Sequence, residues 1–555
     1  MKTSIVYRLS ITIFTLAGIA AALNSSPSAA TRKFYDDDPI WIERDTQDAS
    51  RIRPWKLDVP VDVAMNLLIE LGDPTPNVRA RNVNTVDEVP DSSWFTNRIG
   101  RLPLTADDVR KGPDVTPGPL PGRWTVTASK TDGVSPGFTI TDSARELWFL
   151  KFDPLGYRGM GTGSEMVSTK LLWALGYHVP ESHIAYLHPE QLVIGEGAKY
   201  EPPGGKKRPM QLSDIAKLLK GVDREPDGSY RVIAGRALPK VGEFRFYGTN
   251  PDDPNDVVPH EHRRELRGYR VFAAWLNHVD SHAHNTLDAL IKENGRAFVR
   301  HYLQDFSSTL GAASNGPREY WEGYEYLLEG RESLRQIPAF GFYIPEWHTV
   351  DTYEAKSVGR LPQDNTRFDP DRWKPRVPIQ AFLRARADDK FWAARKLSAI
   401  TDDMLRAAVR AAQLGDPESE QVLVKMLAER RDAIARSYLT AINPITDPVL
   451  GATGVLTFRN AAVDGGFAHA PATYHARWFN FDNATGRSES VGESSATAPR
   501  LQAPPDLLRR GGVFIKVEVT AIDQAQPSWQ VPVHAYFRRD AGTWRLVGFE
   551  RTPEP

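Results

Sequence analysis

The chain contains no cysteine. That excludes disulfides, zinc held by thiolates, thiolate catalysis and a lipid anchor on a cysteine. It also lacks net charge: 69 basic side chains face 70 acidic ones. Whole-chain electrostatics therefore give no reason to expect nucleic acid or an anionic membrane as partner. Long apolar runs are missing beyond the first thirty residues, and so are internal repeats and low-complexity tracts. What is abundant is punctuation, with 42 prolines and 41 glycines, which points to many turns and long ordered loops rather than a helical array.

The opening residues read as a secretory signal. Lys2 and Arg8 form a positive start, Ile11 to Leu23 an apolar run, and Ser28-Ala29-Ala30 a small-residue cleavage site. The run is shorter than the ~20 residues a membrane span needs. The expectation is an exported protein, periplasmic or secreted, cleaved near Ala30, with no stable membrane span afterwards. The alternative is an uncleaved N-terminal anchor.

Residues 31–123 are rich in Asp, Pro, Arg and Trp and show little periodicity, apart from a helix from about Val61 to Leu71 closed by Gly72. They read as an arm held on the rest of the protein by aromatics such as Trp41, Trp55 and Trp94. From Trp124 the pattern becomes regular. Three short strands are predicted at Trp124–Ser129, Phe138–Asp142 and Glu146–Phe152. A helix follows from Ser164, its N-cap, to Leu175, stopped by Gly176, and then strands at Ser182–Leu187 and Leu192–Gly195. Residues 205–260 read as irregular. Glu261–Leu276 is a helix by the spacing of Leu266, Tyr269, Phe272 and Leu276, and Phe298–Leu303 is a strand. Residues 312–380 are long loops and 380–442 are helical. Past Pro444 the composition turns to β, with Asp540-Ala541-Gly542 closing a hairpin.

Polar residues of one kind of chemistry occur in a fixed order along this pattern. Lys151 lies in a strand, Glu165 begins the next helix, His278-Val279-Asp280-Ser281-His282-Ala283-His284-Asn285 follows a long helix, and Gln304-Asp305-Phe306 follows a strand. Taken singly these are weak signals: a strand lysine is usually a solvated edge residue, and an early helix glutamate often only favours the helix N-terminus. Their joint order carries the weight.

In that order the sequence resembles the protein-kinase-like superfamily, closest to its atypical branches, the HipA toxin kinases and the CotH spore-coat kinases. Asp280 and Asn285 keep the catalytic-loop spacing D-x-x-x-x-N, and with His282 the form D-x-H-x-x-N. Asp305-Phe306 matches the first two positions of D-F-G, with Ser307 in place of the glycine. The run from Ser164-Glu165-Met166 to Leu175-Gly176-Tyr177-His178-Val179-Pro180-Glu181 is similar to a Glu-bearing helix ending in a G-x-x-V-P turn. The likeness covers about 124–310.

The resemblance implies an α+β, two-lobed kinase-like fold. It would comprise a small β-rich N-lobe 124–200 and a helical C-lobe 201–449 with long loops; the arm 31–123 and the all-β domain 450–555, read from composition, lie outside the resemblance. It implies a phosphotransferase moving the ATP γ-phosphate to a hydroxyl acceptor, protein or small molecule. Asp280 and His282 would be catalytic. Lys151, Glu165, Gly161 and Gly163 would bind nucleotide, with the glycines at 133–137 as an alternative cradle, and Asn285 and Asp305 would hold Mg²⁺ or Mn²⁺. The chemistry of these residues agrees. Phosphoryl transfer asks for a cation on the phosphates, hard oxygen ligands for the metal and a carboxylate at the attacking hydroxyl. Glycine amides before a helix N-terminus suit phosphate.

Two other readings compete. His260, His262, His278, His282, His284 and His301 crowd one stretch, and the pairs His260/His262 and His282/His284, with Asp280 and Asp305 as carboxylate partners, would make an exported metal-dependent hydrolase. A kinase-like fold without turnover would make a binding or scaffold protein of the cell envelope.

Overall fold

In the computed structural model the residues described are 32–130, 136–202, 205–328, 346–509 and 512–552. The expected leader, and the turn at 131–135 with Gly133, lie outside them.

An α+β architecture is observed. The first layer is a seven-stranded sheet built from β1 (Trp124–Ser129), β2 (Gly137–Thr141), β3 (Leu147–Phe152), β4 (Ser182–Leu187), β5 (Leu192–Tyr200), β6 (Arg208–Pro209) and β7 (Tyr230–Arg236). Their order across the sheet is β4-β7-β3-β2-β1-β5-β6. Only β1 and β5 run parallel; every other pair is antiparallel. The alternation of Val126, Phe138, Ile140, Trp148, Leu150 and Phe152 puts one face of these strands into a core under Ile215 and Leu219. β7 comes from a stretch expected to be irregular, and it sits between β3 and β4. The sheet therefore extends past residue 200, as far as Arg236.

The helix after β3, α3 (Met160–Leu175), starts earlier than the expected Ser164 cap. The reason is Asp153. Its carboxylate accepts the amides of Gly159 and Thr162 and the Thr162 hydroxyl, each at 2.8 Å, and so caps the helix from the end of β3. At the far end Gly176 has φ of 121°, and a Cβ there would lie 2.2 Å from the Phe95 ring. No other residue fits that stop.

The second layer is helical. α5 (Arg264–Leu276) is buried along its whole length between the arm and the helices α7 (Ala387–Ser398) and α9 (Pro417–Leu439). Its N-terminal Arg264 is fully buried. It donates to Asp87 of the arm at 2.8 Å and, on α7, to Asp388 at 2.9 Å and Asp389 at 3.0 Å. Arg267, one turn on, reaches Asp389 at 3.2 Å. The helix ends at Asn277, in the left-handed region with φ of 50°, its side-chain oxygen held by the Trp373 indole at 2.9 Å. A three-stranded sheet, β8 (Lys240–Gly242), β9 (Thr286–Glu293) and β10 (Arg296–Leu303), lies beyond this turn in the order β10-β9-β8.

The C-terminal strands form a three-stranded and a five-stranded antiparallel sheet. The predicted turn is present: Asp540 pairs with Thr543 across Ala541 and Gly542, both at positive φ. The arm is ordered because it is pinned at several places. Phe34 packs on Phe481, Tyr536 and Val547 of the β domain, and Trp94 stacks on His301 with centroids 3.5 Å apart. No helix among the described residues is long and apolar enough to cross a membrane.

Two stability measurements follow from these contacts. Arg264→Met leaves three buried carboxylates without their shared cation. It should cost about 3–5 kcal/mol in urea unfolding, and a loss below about 1 kcal/mol would show that water reaches this cluster. Asp153→Ala removes the outside cap of α3 and should cost about 1–2 kcal/mol, with amide exchange rising first at Gly159–Gly163.

Candidate active site

The site is assembled by two hairpins and one helix. In the β2–β3 pair, Gly137 stands opposite Lys151, and a Cβ on Gly137 would lie 2.3 Å from the Leu150 carbonyl. That close pairing aims Lys151 off the sheet. Its Nζ lies 3.2 Å from Oε2 of Glu165 on α3 and 2.7 Å from Oδ1 of Asp305. The second hairpin is β9–β10, whose last pair is Thr286 with Leu303. Asn285 and Gln304 thus face each other just past the ladder, joined by the Gln304 amide on the Asn285 carbonyl at 3.0 Å. Asp305 is the next residue, at φ of 59°. Register alone puts Asn285 and Asp305 at the same end of the hairpin.

The electrostatics are those of a self-neutralised site. Burial acts to lower Lys151, but the carboxylates of Asp305 and then Glu165 outweigh it and hold the ammonium well above the ordinary lysine range. Burial acts to raise Asp305; Lys151 and then Lys130 outweigh it and keep the carboxyl well below the usual range, with help from the Ser307 hydroxyl at 2.8 Å. Ser307, which stands where a glycine would complete the D-F-G triplet, is thus a donor to the acid before it.

Asp280 sits on the loop after α5. His282 Nε2 is 3.1 Å from its Oδ1, and the His282 Nδ1 accepts the His284 amide at 3.3 Å. That assigns the proton to Nε2, so neutral His282 already donates to Asp280. The Asn285 side-chain amide donates to the Asp280 carbonyl at 2.7 Å, leaving its own side-chain oxygen on the other side of the group. Arg376 Nη1 stands 3.7 Å from Asp280 and is braced by Glu322, which Arg318 also holds at 2.9 Å. Burial would raise Asp280, but His282, Arg318 and Arg376 together keep it far below the usual carboxylate range.

Lys151, Glu165 and Asp305 therefore meet directly, and Asp280, His282 and Asn285 form one hydrogen-bonded loop. Of Gly161 and Gly163, the expected phosphate cradle, Gly161 adjoins Ser307: a Cβ on it would lie 3.9 Å from the Ser307 carbonyl oxygen. Both lie inside the first turn of α3, where the amides of Gly159 and Thr162 serve Asp153 and the Gly163 amide serves the Gly159 carbonyl. Smallness serves packing at Gly163, where a Cβ would lie 2.6 Å from Leu414 Cδ2; at Gly161 the nearest atom would be Asp153 Oδ1 at 3.5 Å, an ordinary contact.

The histidine-rich stretch is likewise spent on structure. Buried His260 is held between Asp256 at 2.8 Å and the Arg245 carbonyl at 2.5 Å, and His262 between Asp73 at 3.0 Å and Arg267 at 2.7 Å. His301 pairs with Asp288 at 2.7 Å. Among the described residues no three His, Asp or Glu gather as a metal site. His278 is the residue that sequence reasoning left unused. It packs edge-on against Phe306 at 5.6 Å, its Nδ1 is bonded to the Tyr269 hydroxyl at 2.5 Å, and burial lowers it to about 3, so it stays neutral. The signal was its place two residues before Asp280. Arg376 and Asp153 had no local signal, being distant in sequence from what they touch.

No protein-family model matches this chain, and no curated protein matches it. Among solved structures, the Helicobacter pylori proinflammatory kinase CtkA overlaps 56% of this chain and 93% of its own, at 11% identity and a TM-score of 0.28. A Golgi casein kinase overlaps 72% of this chain and 94% of its own, at 9% identity and a TM-score of 0.28. Both structural neighbours are kinases; at these scores the overlap adds nothing to the geometry above.

Proposed function

We propose that this chain is a kinase-like phosphotransferase that moves the γ-phosphate of ATP to a hydroxyl acceptor. One observation carries the reading: a strand lysine is bonded at once to a helix glutamate and to Asp305, beside a loop that presents Asp280 and Asn285. Lys151 supplies a buried cation for the phosphates, aimed by Glu165. Asp305 and the side-chain oxygen of Asn285 are the hard oxygen donors that Mg²⁺ or Mn²⁺ prefers, and the hairpin places them at one end. The metal, when bound, neutralises charge on the bridging phosphate oxygens. Asp280 orients the acceptor hydroxyl. Held ionised by His282, it is a weak base, so its main work is to point the nucleophile, taking the proton only late in the transfer.

The D-x-H-x-x-N loop and the G-x-x-V-P exit favour the HipA-like and CotH-like branches within this reading. The leader-like start makes export to the periplasm or exterior part of the same proposal. The acceptor is a protein or a small molecule. The hydrolase alternative is not supported: His260 and His262 are held by other partners, and among the described residues no three His, Asp or Glu gather as a metal site. The scaffold alternative remains as an outcome of the test.

Purified protein with ATP and either metal should show a nucleotide-dependent melting shift and phosphate transfer. Asp280→Ala and Asp305→Ala should each lower transfer at least 100-fold. Full activity in both variants would sink the assignment, and absence of both shift and transfer in the wild type would favour the scaffold.

A pH profile tests the role of His282. The ionised form of Asp280 is present above its depressed folded pKa and is lost as pH falls through it. Wild-type kcat/KM should therefore show no acid limb from Asp280 between about pH 5 and 8. In His282→Ala the hydrogen bond to Asp280 is gone, and the acid limb should move to higher pH. An unmoved limb would mean that Asp280 is not the titrating group.

A further inference from the structure

A second cavity, of about 910 Å³, lies where the arm, the helical layer and the β domain meet, and it shares no residue with the site above. Acidic and basic side chains line it in equal numbers, but they are not equally satisfied. Arg395 holds Glu88; Arg431 holds Asp402 at 2.9 Å and Asp432 at 2.8 Å; Arg459 holds Asp464 at 2.8 Å. Asp87 and Asp388 are neutralised from behind the wall by Arg264, at 2.8 and 2.9 Å.

The remainder is Arg101, Lys396, Arg436 and Arg551 against the single carboxylate of Asp447. None of these four cations makes an ion pair with a described residue. Arg101 lies flat over Trp41 at 3.7 Å. Lys396 donates to the Asn97 side-chain oxygen at 2.9 Å and rests over the rings of Phe95 and Trp392. Arg551 donates to the carbonyls of Asn443 and Ile445 and lies over Phe391 at 4.0 Å. Arg436 stands 6.0 Å from the Phe467 ring. Aromatic faces and neutral oxygens stand where carboxylates would.

We propose that this junction binds a compact polyanion with the chemistry of linked phosphates, through Arg101, Lys396, Arg436 and Arg551. The cations come from three separate parts of the chain, and the cavity has room for several linked phosphates. Crowding of like charge fits the same picture. Burial, with Arg395 and Arg101 acting against Glu88, brings Lys396 down to about 8, and burial brings Arg551 down to about 9. A bound polyanion would relieve that repulsion and fasten arm, helices and β domain together.

The test is calorimetric titration with inorganic tripolyphosphate, without divalent metal, at low and physiological salt. Lys151→Met/Asp305→Asn removes the nucleotide-cleft charges and should bind as the wild type does. Arg101→Gln/Arg436→Gln, both exposed positions, should weaken binding at least tenfold while its melting temperature without ligand stays unchanged. ATP on the cleft-disabled variant distinguishes a free phosphate chain, which then binds more tightly, from one carried on a nucleoside, which then binds equally. Absence of binding in the cleft-disabled variant overturns the proposal. So does an equal loss in Lys206→Gln/Lys207→Gln, which removes the same charge from a remote exposed loop.

Discussion

A fully buried guanidinium sets the frame on which the rest of this protein is arranged. Arg264 has no water to solvate it, so the fold must bring carboxylates to it, and it draws them from the arm and from α7. Removing a charge from water costs several kcal/mol, so the arrangement tolerates little slack. The consequence runs along α5. Its first turn is locked by charge and its sides by apolar packing. Its last residue, Asn277, must then deliver His278, Val279 and Asp280 at one place. The loop that presents Asp280 is thus placed from the far end of the helix before it.

The same economy governs the site itself. Lys151, Glu165 and Asp305 are one another's counter-ions, and Asp280 is satisfied by His282 and Arg376. One ammonium is shared by two carboxylates, so each charged group of the resting site has a partner of opposite sign. A ligand must therefore substitute for contacts rather than add them. Phosphate oxygens can replace Asp305 at Lys151, and a divalent cation can replace Lys151 at Asp305. Both exchanges keep a cation against an anion, although neither leaves the net charge of the group unchanged.

How legible this was depends on the distance over which each feature is determined. β1 to β3, the body of α5 and the Asp540-Ala541-Gly542 turn were readable, because alternation, helical spacing and turn residues are local. β7 was not: Tyr230–Arg236 is a strand because β3 and β4 flank it, and its pairing partners lie dozens of residues earlier. β9 has little strand signal of its own, because Thr286–Glu293 carries Asp288, Lys292 and Glu293; its order comes from pairing with β10. The start of α3 was misplaced for a related reason. The capping carboxylate, Asp153, sits at the end of the preceding strand, and the glycines between looked like a loop open to anions. In the candidate site, residue order exposed the lysine, glutamate, aspartates and asparagine. Arg376, which reaches Asp280 from a distant loop, could be found only in three dimensions.

The arm and the β domain change meaning when considered together. Neither contributes a residue to the Lys151–Asp280–Asp305 set, yet the arm supplies Asp87 to Arg264 and Phe34 to the β domain, while Arg551 of the β domain donates to the carbonyls of Asn443 and Ile445. The β domain is thus tied to the body through the arm and through the segment where α9 ends. Three pieces that meet around a cavity, each bringing an unpaired cation or an aromatic face, form a joint whose rigidity depends on charge. A site whose precision descends from α5 would register any loosening of that joint, because Asp87, which anchors α5, stands in the wall of the same cavity.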